Sequence, residues 1–580
     1  MKLNQKNNKK ILVALNELLS SAYEIADKKL INKFSKNFLV SEEASRIVLR
    51  RTTVPLIFYF FQNLVFLSKQ KYKLKKKLKL IEFKHFFLSI EKFESATSNK
   101  NFNIKFVNYL SRNFFLKKII YHKTENIKLN NYNKNNLFVI DKLFLIKIFE
   151  KIETFFFRHF PFFNRIPVSH ISQLQSSFYS KGWYLYFLKN LDYDFKSNNV
   201  NINHTKRKTF FSSVLPVSFF NKFIIKFNLK GLSPDFVHKV FHDFFISSFP
   251  ISFFENFQDN FNEASLRLMY TKKKIILCSG DYSTRSIFLN CAAKNKKFKI
   301  IKIQHGGYEG YSNYLPRYNE IEYATADYFL SWGWKEIVGK KKNQKIKVIP
   351  MPSPWLSDRK LYFAETNQNF NSKKYDILFM PSKILDFQTS PFDINNINFL
   401  NKKKNIINFE KILLFSKQNQ FKFCCKFYDQ FSFEYYKQNI KYKLSDFPNI
   451  NFLKTFDKGL DKDLLSSSKL VLWDVPGTGF LECLACRIPT VCFCDSDIFI
   501  PTKKSLYFFN KLKNEGIVNY NYNTLYKSLA DHINSNLLIQ NTKEYKNSIN
   551  LFLKKFAKTD DNWDIIWKNK LKHLSRLTKK

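Results

Sequence analysis

Acidic residues are scarce in this 580-residue chain: 47 Asp and Glu stand against 96 Lys and Arg, a formal charge of +49. Glycine is scarcer still, with 12, so each glycine cluster marks a place where the backbone must turn tightly or approach something closely. No cysteine precedes Cys278; the eight are Cys278, Cys291, Cys424, Cys425, Cys483, Cys486, Cys492 and Cys494. A cysteine-free first half argues against a disulfide framework. Long apolar runs are also lacking. The strongest, VPLIFYFFQNLVFL at 54–67, is broken by Gln62 and Asn63 and falls short of the roughly 20 residues that a membrane span needs. It reads as a buried or interfacial helix. The opening MKLNQKNNKKILVALNELL is basic and then amphipathic, without the apolar centre of a secretory signal. A reducing cytoplasm is the expected home. The basic run KQKYKLKKKLKL at 69–80 leaves room for peripheral contact with an anionic membrane at its inner face.

What is present is ordinary globular material: 45% hydrophobic residues and a length that implies two or three domains. The positive charge is spread along the whole chain, mostly as lysine, beside abundant Asn, Ile, Phe and Tyr. That distribution reads as compositional drift rather than a nucleic-acid stripe, so nucleic acid is disfavoured as a partner while anionic ligands are favoured. Residues 1–130 carry helical periodicity. The stretch 123–136 reads as a linker, NLFVIDKLF at 136–144 as a short strand, 190–210 as an exposed loop, and the Asn-rich FDINNINFLNKKKNIINF as a surface loop. From 272 the texture changes. KKIILCSG, FKIIKIQ, YFLS and KIKVIP, then YDILFMPS, QFKFCCK, KLVLWD and PTVCFC each look like a buried strand ending in loop residues, with helices between. Two such blocks predict two doubly wound α/β domains facing one another.

Two motifs sit where ligands bind in parallel sheets, beyond the carboxyl ends of strands. Gln304-His305-Gly306-Gly307 follows FKIIKI; His305 can serve as a general base or phosphate ligand, and Glu309 is a second candidate base. The plainer reading is a loop histidine capping its own turn. Asp474-Val475-Pro476-Gly477-Thr478-Gly479 follows KLVLW and opens a helix at 478–487, whose N-terminal N–H groups suit a phosphate. Thr478 is the natural N-cap or phosphate contact there, and Glu482, one turn on, could accept from ribose hydroxyls; the plainer reading is an ordinary capped helix. A P-loop and a GxGxxG fingerprint are both absent. Ser279 and Asp281 follow the strand IILC on the same edge. Trp332 and Trp334 could wall a pocket, since sugars stack on flat aromatics, or could equally pack the core. Cys483, Cys486, Cys492 and Cys494 read as buried thiols rather than a zinc site. No other metal motif is evident, so neither metal nor cofactor is expected.

These residues carry a resemblance. QHGG at 304–307 with Gly310, then EYATADYFLSWGW at 322–334, PGTGFLECLACRIPT at 476–490 and FPISFFENF at 249–257 resemble the bacterial transferases of the LIC12162 family. The likeness covers about 240–500 and is weak before 130, where only LNELL at 15–19 echoes it. It implies surface-carbohydrate biosynthesis and a pattern similar to GT-B glycosyltransferases: α/β, a pair of facing Rossmann-like domains with an additional, mostly helical N-terminal region. The expected division is 1–130 helical, 131–364 a first, acceptor-side domain with helical insertions, 365–540 a nucleotide-donor domain, and 541–580 a C-terminal helix. The expected activity moves a sugar or related group from a nucleotide-activated donor to a carbohydrate or lipid-linked acceptor, without metal. His305 or Glu309 would be the base; Lys426, Gly477, Thr478, Gly479 and Glu482 would hold donor nucleotide and phosphate; Gln304, Gly306, Gly307, Ser279, Asp281, Trp332 and Trp334 would line the substrate loops. Ser331 stands where the family has Thr, Lys426 where Arg is expected, and Gly479 replaces a bulkier residue. The alternatives are a nucleotide-sugar epimerase or hydrolase on the same fold, a basic nucleic-acid-binding protein, or an inactive scaffold.

Overall fold

The structure is a computed structural model that describes residues 5–68, 81–114, 165–170, 177–178, 181, 187–188 and 202–577, less single positions and short stretches within these, the longest being 365–372, 385–395 and 454–459. The basic run 69–80, the linker at 123–136, the strand expected at 136–144, the first part of the loop at 190–210, and Asp281 lie outside the described residues.

The strands, in chain order, are β1 (Ile166–His170), β2 (Phe187–Leu188), β3 (Ile275–Cys278), β4 (Lys299–Ile303), β5 (Tyr328–Ser331), β6 (Lys347–Pro350), β7 (Tyr375–Met380), β8 (Phe423–Lys426), β9 (Ile450–Leu453), β10 (Ser468–Trp473), β11 (Thr490–Phe493) and β12 (Val518–Asn519). They form two sheets, ordered β2-β1-β3-β4-β5-β6 and β12-β11-β10-β7-β8-β9, with parallel pairing throughout. Numbered within its own block, the second sheet runs 3-2-1-4-5-6 from β9 to β12, the doubly wound dinucleotide-type order, with its reversal between β7 and β10. The fold is α/β, two Rossmann-like units with a helical N-terminal region.

The central strands are mostly apolar and buried, and alternate residues feed different cores. Ile276 and Ile300 point into a phenylalanine-rich helical layer, whereas Ile275, Leu277, Ile301 and Ile303 point the other way. That helical layer is built from Gln5–Phe38, Glu42–Ser68, Ile90–Ser98 and Lys100–Phe114 together with Val217–Lys226, Pro234–Ser248 and Phe257–Arg267. Phe60 and Phe61 of the first group stack edge-on or tilted against Phe241 at 5.1 and 5.6 Å. The apolar run 54–67 is thus core, with Leu56, Phe60, Phe61 and Leu64 fully buried, and not an interfacial helix. No helix among the described residues is long and apolar enough to cross a membrane.

Ion pairs fasten the layer. Arg50 donates to Asp27 at 2.8 Å and also to Glu320, which accepts from Ser20 at 2.8 Å. Fully buried Arg207 makes two parallel bonds to Glu255 at 2.6 Å, so the glutamate of FPISFFENF is a staple between helices. Arg207 lies in a helix, His204–Phe210, whose N-cap Asn203 accepts from Lys206 N; the loop expected up to 210 therefore ends earlier. The Asn-rich stretch is corrected likewise from 396 on: Asn396–Gln418 is one helix, beginning ahead of the helix expected at 404–418, and Phe409, Ile412 and Leu413 fix it to the second sheet; 392–395 lie outside the described residues.

Candidate functional site

The loop after β4 and the turn after β10 meet. Gly307 N–H donates to Thr478 Oγ1 at 2.8 Å, and Tyr311 Oη donates to the Pro476 carbonyl at 2.6 Å. The approach requires glycine. A Cβ on Gly307 would lie 2.8 Å from both Gly477 C and Thr478 N. Downstream, Thr502 N and Ser505 Oγ both donate to the Tyr311 carbonyl, and Asn313 N to that of Ile500. One hydrophobic cluster runs across the junction, with Tyr311 and Trp332 of the first unit beside Phe480, Leu481, Phe499 and Phe552. The C-terminal helix Trp563–Leu577 returns to the first unit, where Trp563 and Trp567 pack edge-on against Phe178 at 5.3 and 5.4 Å.

On the first unit, Gln304 is a brace. Its Oε1 accepts from Trp332 N at 2.7 Å and Trp334 Nε1 at 2.8 Å, and its Nε2 donates to the Gly306 carbonyl at 2.9 Å. The pocket-wall reading of the two tryptophans is therefore corrected. Their rings are 0% and 2% exposed, and Trp334 edges a cavity with Gly310, Asn319 and Tyr323 that has room for about one water molecule, not a sugar. Gly310, at φ +84°, could carry no Cβ without running 2.5 Å from the Trp334 ring. His305 is 15% exposed and its Nδ1 stands 3.9 Å from Oε1 of the fully buried Glu309, four residues on in the same loop. Ser279 follows β3 and is buried. Nearby, Glu91 of the N-terminal layer accepts from Thr284 N and Oγ1 at the start of the helix Thr284–Asn295.

On the second unit, the helix is Thr478–Ala485, and its N-cap is Gly477, with no side-chain cap bond. Thr478 is not the cap expected of it, because its hydroxyl faces Gly307. The helix start therefore keeps backbone N–H groups without a side-chain acceptor. Gly479 has no space for a side chain, since a Cβ would run into the Trp473 ring. Glu482 is corrected too. Its two oxygens accept from Arg359 Nε and from Trp355 Nε1, the latter at 3.3 Å, so it holds the helix Pro354–Ala364 instead of offering itself to a ribose. Burial raises its pKa, against the opposing pull of Arg359. Lys426 ends β8, two strands from β10, with a buried side chain.

Asp474, to which its motif alone gives no role, follows β10, and its Oδ2 accepts from Ser382 N at 2.8 Å and Ser382 Oγ at 3.0 Å, across from β7. Burial raises its pKa from 3.8 to about 6, with the Ser382 bonds opposing. Burial, then Tyr311 and Asp474, raises the pKa of the Tyr308 phenol, which reaches across from the first unit. The eight cysteines are free, and burial pushes the Cys424 thiol to about 12. Among the described residues no three His, Cys, Asp or Glu cluster as a metal site would need.

The profile of the LIC12162 family transferases matches residues 46–571. No curated protein matches the chain. Among solved structures, the UDP-GlcNAc 2-epimerase of Methanocaldococcus jannaschii in complex with UDP-GlcNAc and UDP is 15% identical, with 57% of this chain and 86% of that one covered at a TM-score of 0.31. MurG of Acinetobacter baumannii is 11% identical, over 55% of this chain and 77% of that one, at 0.28. A second structure of the Methanocaldococcus jannaschii epimerase is 14% identical, over 54% and 82%, at 0.34.

Proposed function

The chain belongs to the LIC12162 family of transferases, and from that premise we propose that it moves a sugar or related group from a nucleotide-activated donor to an acceptor hydroxyl, in the building of a surface carbohydrate. The observation that carries this reading is the meeting of the two loops at the carboxyl ends of two parallel sheets, with Gly307 on Thr478. In the proposed reaction the donor's pyrophosphate lies at the start of the Thr478–Ala485 helix, where unpaired N–H groups and the helix dipole favour negative charge. His305 takes the proton of the acceptor hydroxyl as its oxygen bonds to the donor carbon. Glu309, with Oε1 3.9 Å from the imidazole Nδ1, is the acid beside that base. The bond from donor carbon to phosphate oxygen breaks, and the nucleotide leaves with the electron pair. The helix dipole stabilises that charge, with Lys426 on the same sheet edge, so no metal is called on. The acceptor is a carbohydrate or a lipid-linked glycan. The free cysteines fit a reducing cytoplasm, and the charge of +49 fits contact with an anionic membrane face.

Thermal shift of the purified chain against UDP, GDP, CDP, CMP and their sugar conjugates tests this, since a ligand that binds the native state raises the melting temperature by mass action. A shift with one nucleotide and its sugar conjugate is expected. Indifference to every nucleotide, beside a clear shift with RNA or DNA, would overturn the reading.

A further inference from the structure

The second sheet reverses its order between β7 and β10, and in open parallel sheets such a switch point is where ligands bind. Two side chains mark it. Ser382, beyond β7, donates through both N and Oγ to Oδ2 of Asp474, at 2.8 and 3.0 Å. The other oxygen, Oδ1, is closed off from solvent and accepts from no other residue, the one further donor at this carboxylate being Asp474's own N–H. A staple between the two strand ends needs Oδ2 alone. Folded proteins leave few buried polar atoms unsatisfied, and the exceptions call for an explanation. Asp474 also lies four residues before Thr478, where the helix opens without a side-chain cap. One short turn therefore combines N–H donors suited to phosphate with a carboxylate suited to a hydrogen-bond donor. A lone phosphate would be repelled by the carboxylate. A nucleotide would use both, its phosphates on the helix and its nucleoside on the acid. Tyr308 of the first unit packs its hydroxyl over Gly477 and feels the Asp474 charge, so the loop carrying His305 also covers this acid.

We propose that Asp474 reads the nucleoside of the donor, its Oδ1 accepting a hydrogen bond from a ribose O–H or a base N–H. The inference rests on the proposed function and adds its specificity residue. It is tested on the full chain by calorimetric titration with UDP, GDP, CDP and ADP and their 2′-deoxy and 3′-deoxy forms, using wild type, Asp474→Asn and Asp474→Ser. Wild type is expected to bind one diphosphate, and both variants to lose at least about tenfold in affinity for it, the scale set by an unmatched buried polar partner, while Asp474→Asn, which keeps an oxygen for Ser382, melts no lower than wild type. A deoxy form that weakens wild type by the same factor, with no further loss in the variants, assigns the contact to the ribose. Deoxy forms that bind wild type normally, while the variants still lose affinity, assign it to the base. Variants that fold and bind the same diphosphate within about twofold of wild type overturn the role of Asp474 and leave the transferase reading standing. A wild type that binds none of the nucleotides overturns both.

Discussion

Replacing Gly307 by alanine probes the junction of the two units directly. The added methyl would lie 2.8 Å from Gly477 C, 2.8 Å from Thr478 N and 2.9 Å from Tyr311 Oη. Two of these are backbone atoms at the start of a helix and cannot swing aside, so the loops must part. Over-packing of this kind costs about 1–3 kcal/mol. Parting also loosens the Gly307 N–H bond to Thr478 Oγ1, worth about 1 kcal/mol. The sum, about 2–4 kcal/mol, is the expected loss for Gly307→Ala. At Gly306 the same methyl meets Thr478 Oγ1 at 3.3 Å, a side-chain atom at a distance that small shifts relieve, and the expected loss is under about 1 kcal/mol. Urea unfolding followed by tryptophan fluorescence measures both, and titration of the two variants with the nucleotide that binds wild type measures the effect on the site. Gly307→Ala with a wild-type unfolding midpoint and wild-type affinity would refute the reasoning, because it would show that the loops separate without penalty.

His305→Ala should lower turnover by about 100-fold or more, the scale of general-base catalysis; Glu309→Gln, which keeps the base and removes the charge beside it, should lower it less, and steady-state kinetics on both distinguishes base from orienting partner. Asp474 has a folded pKa raised from 3.8 to about 6, so it is more readily protonated in the native state, and its favourable contribution is complete below pH ~4 and lost as pH rises through ~6. A shift of about two units corresponds to about 3 kcal/mol, so Asp474→Asn should gain stability relative to wild type between pH 4 and 7; unfolding midpoints with a pH-independent difference would contradict this. Glu482→Gln or Arg359→Met alone should destabilise by about 3 kcal/mol, because each leaves a partly buried charge without its partner, while the double replacement should cost less than the sum. Additive losses in that cycle would show that Arg359 and Glu482 do not hold each other.

Strands β3 to β8, β10 and β11 were legible because apolar runs such as IILC and LVLW are mostly buried and run into loop residues such as Gly280 and Asp474. β1, β2, β9 and β12 were not. INFL and VN are too short to separate from loop by pattern, and they exist because neighbouring strands supply their hydrogen bonds. The Asn-rich 396–409 stretch misled because asparagine is a poor helix former in isolation, yet Asn405 and Asn408 are buried and tertiary packing overrides the propensity. The two loops were legible as motifs, but their contact was not, since nothing in the sequence brings residue 307 to residue 478. That same contact reassigns Thr478 from helix cap to acceptor. Glu482 and the two tryptophans were misread for a related reason: an acid on a helix near a ligand site and an aromatic pair after a strand look the same whether they meet a ligand or an internal partner. Arg359 and Gln304 decide the matter, and both are distant in sequence from the groups they hold.

Strand order explains why the two halves of the site differ. In the second sheet the reversal falls between β7 and β10, so the chain leaves β10 at the crevice itself, where open parallel sheets bind ligands. In the first sheet the order β2-β1-β3-β4-β5-β6 puts the reversal between β1 and β3, one strand away from the loop that carries His305. That loop is therefore not fixed by its own switch point. It is fixed from beneath by Gln304, which bonds the tryptophans after β5, and from the front by Thr478 and Pro476 of the other unit. The position of the imidazole consequently depends on the second unit's turn, the same turn to which we assign the donor. A ligand that alters the Gly307–Thr478 contact must move the His305 loop with it, which in the reaction we propose couples occupancy of the donor side to the placement of the base.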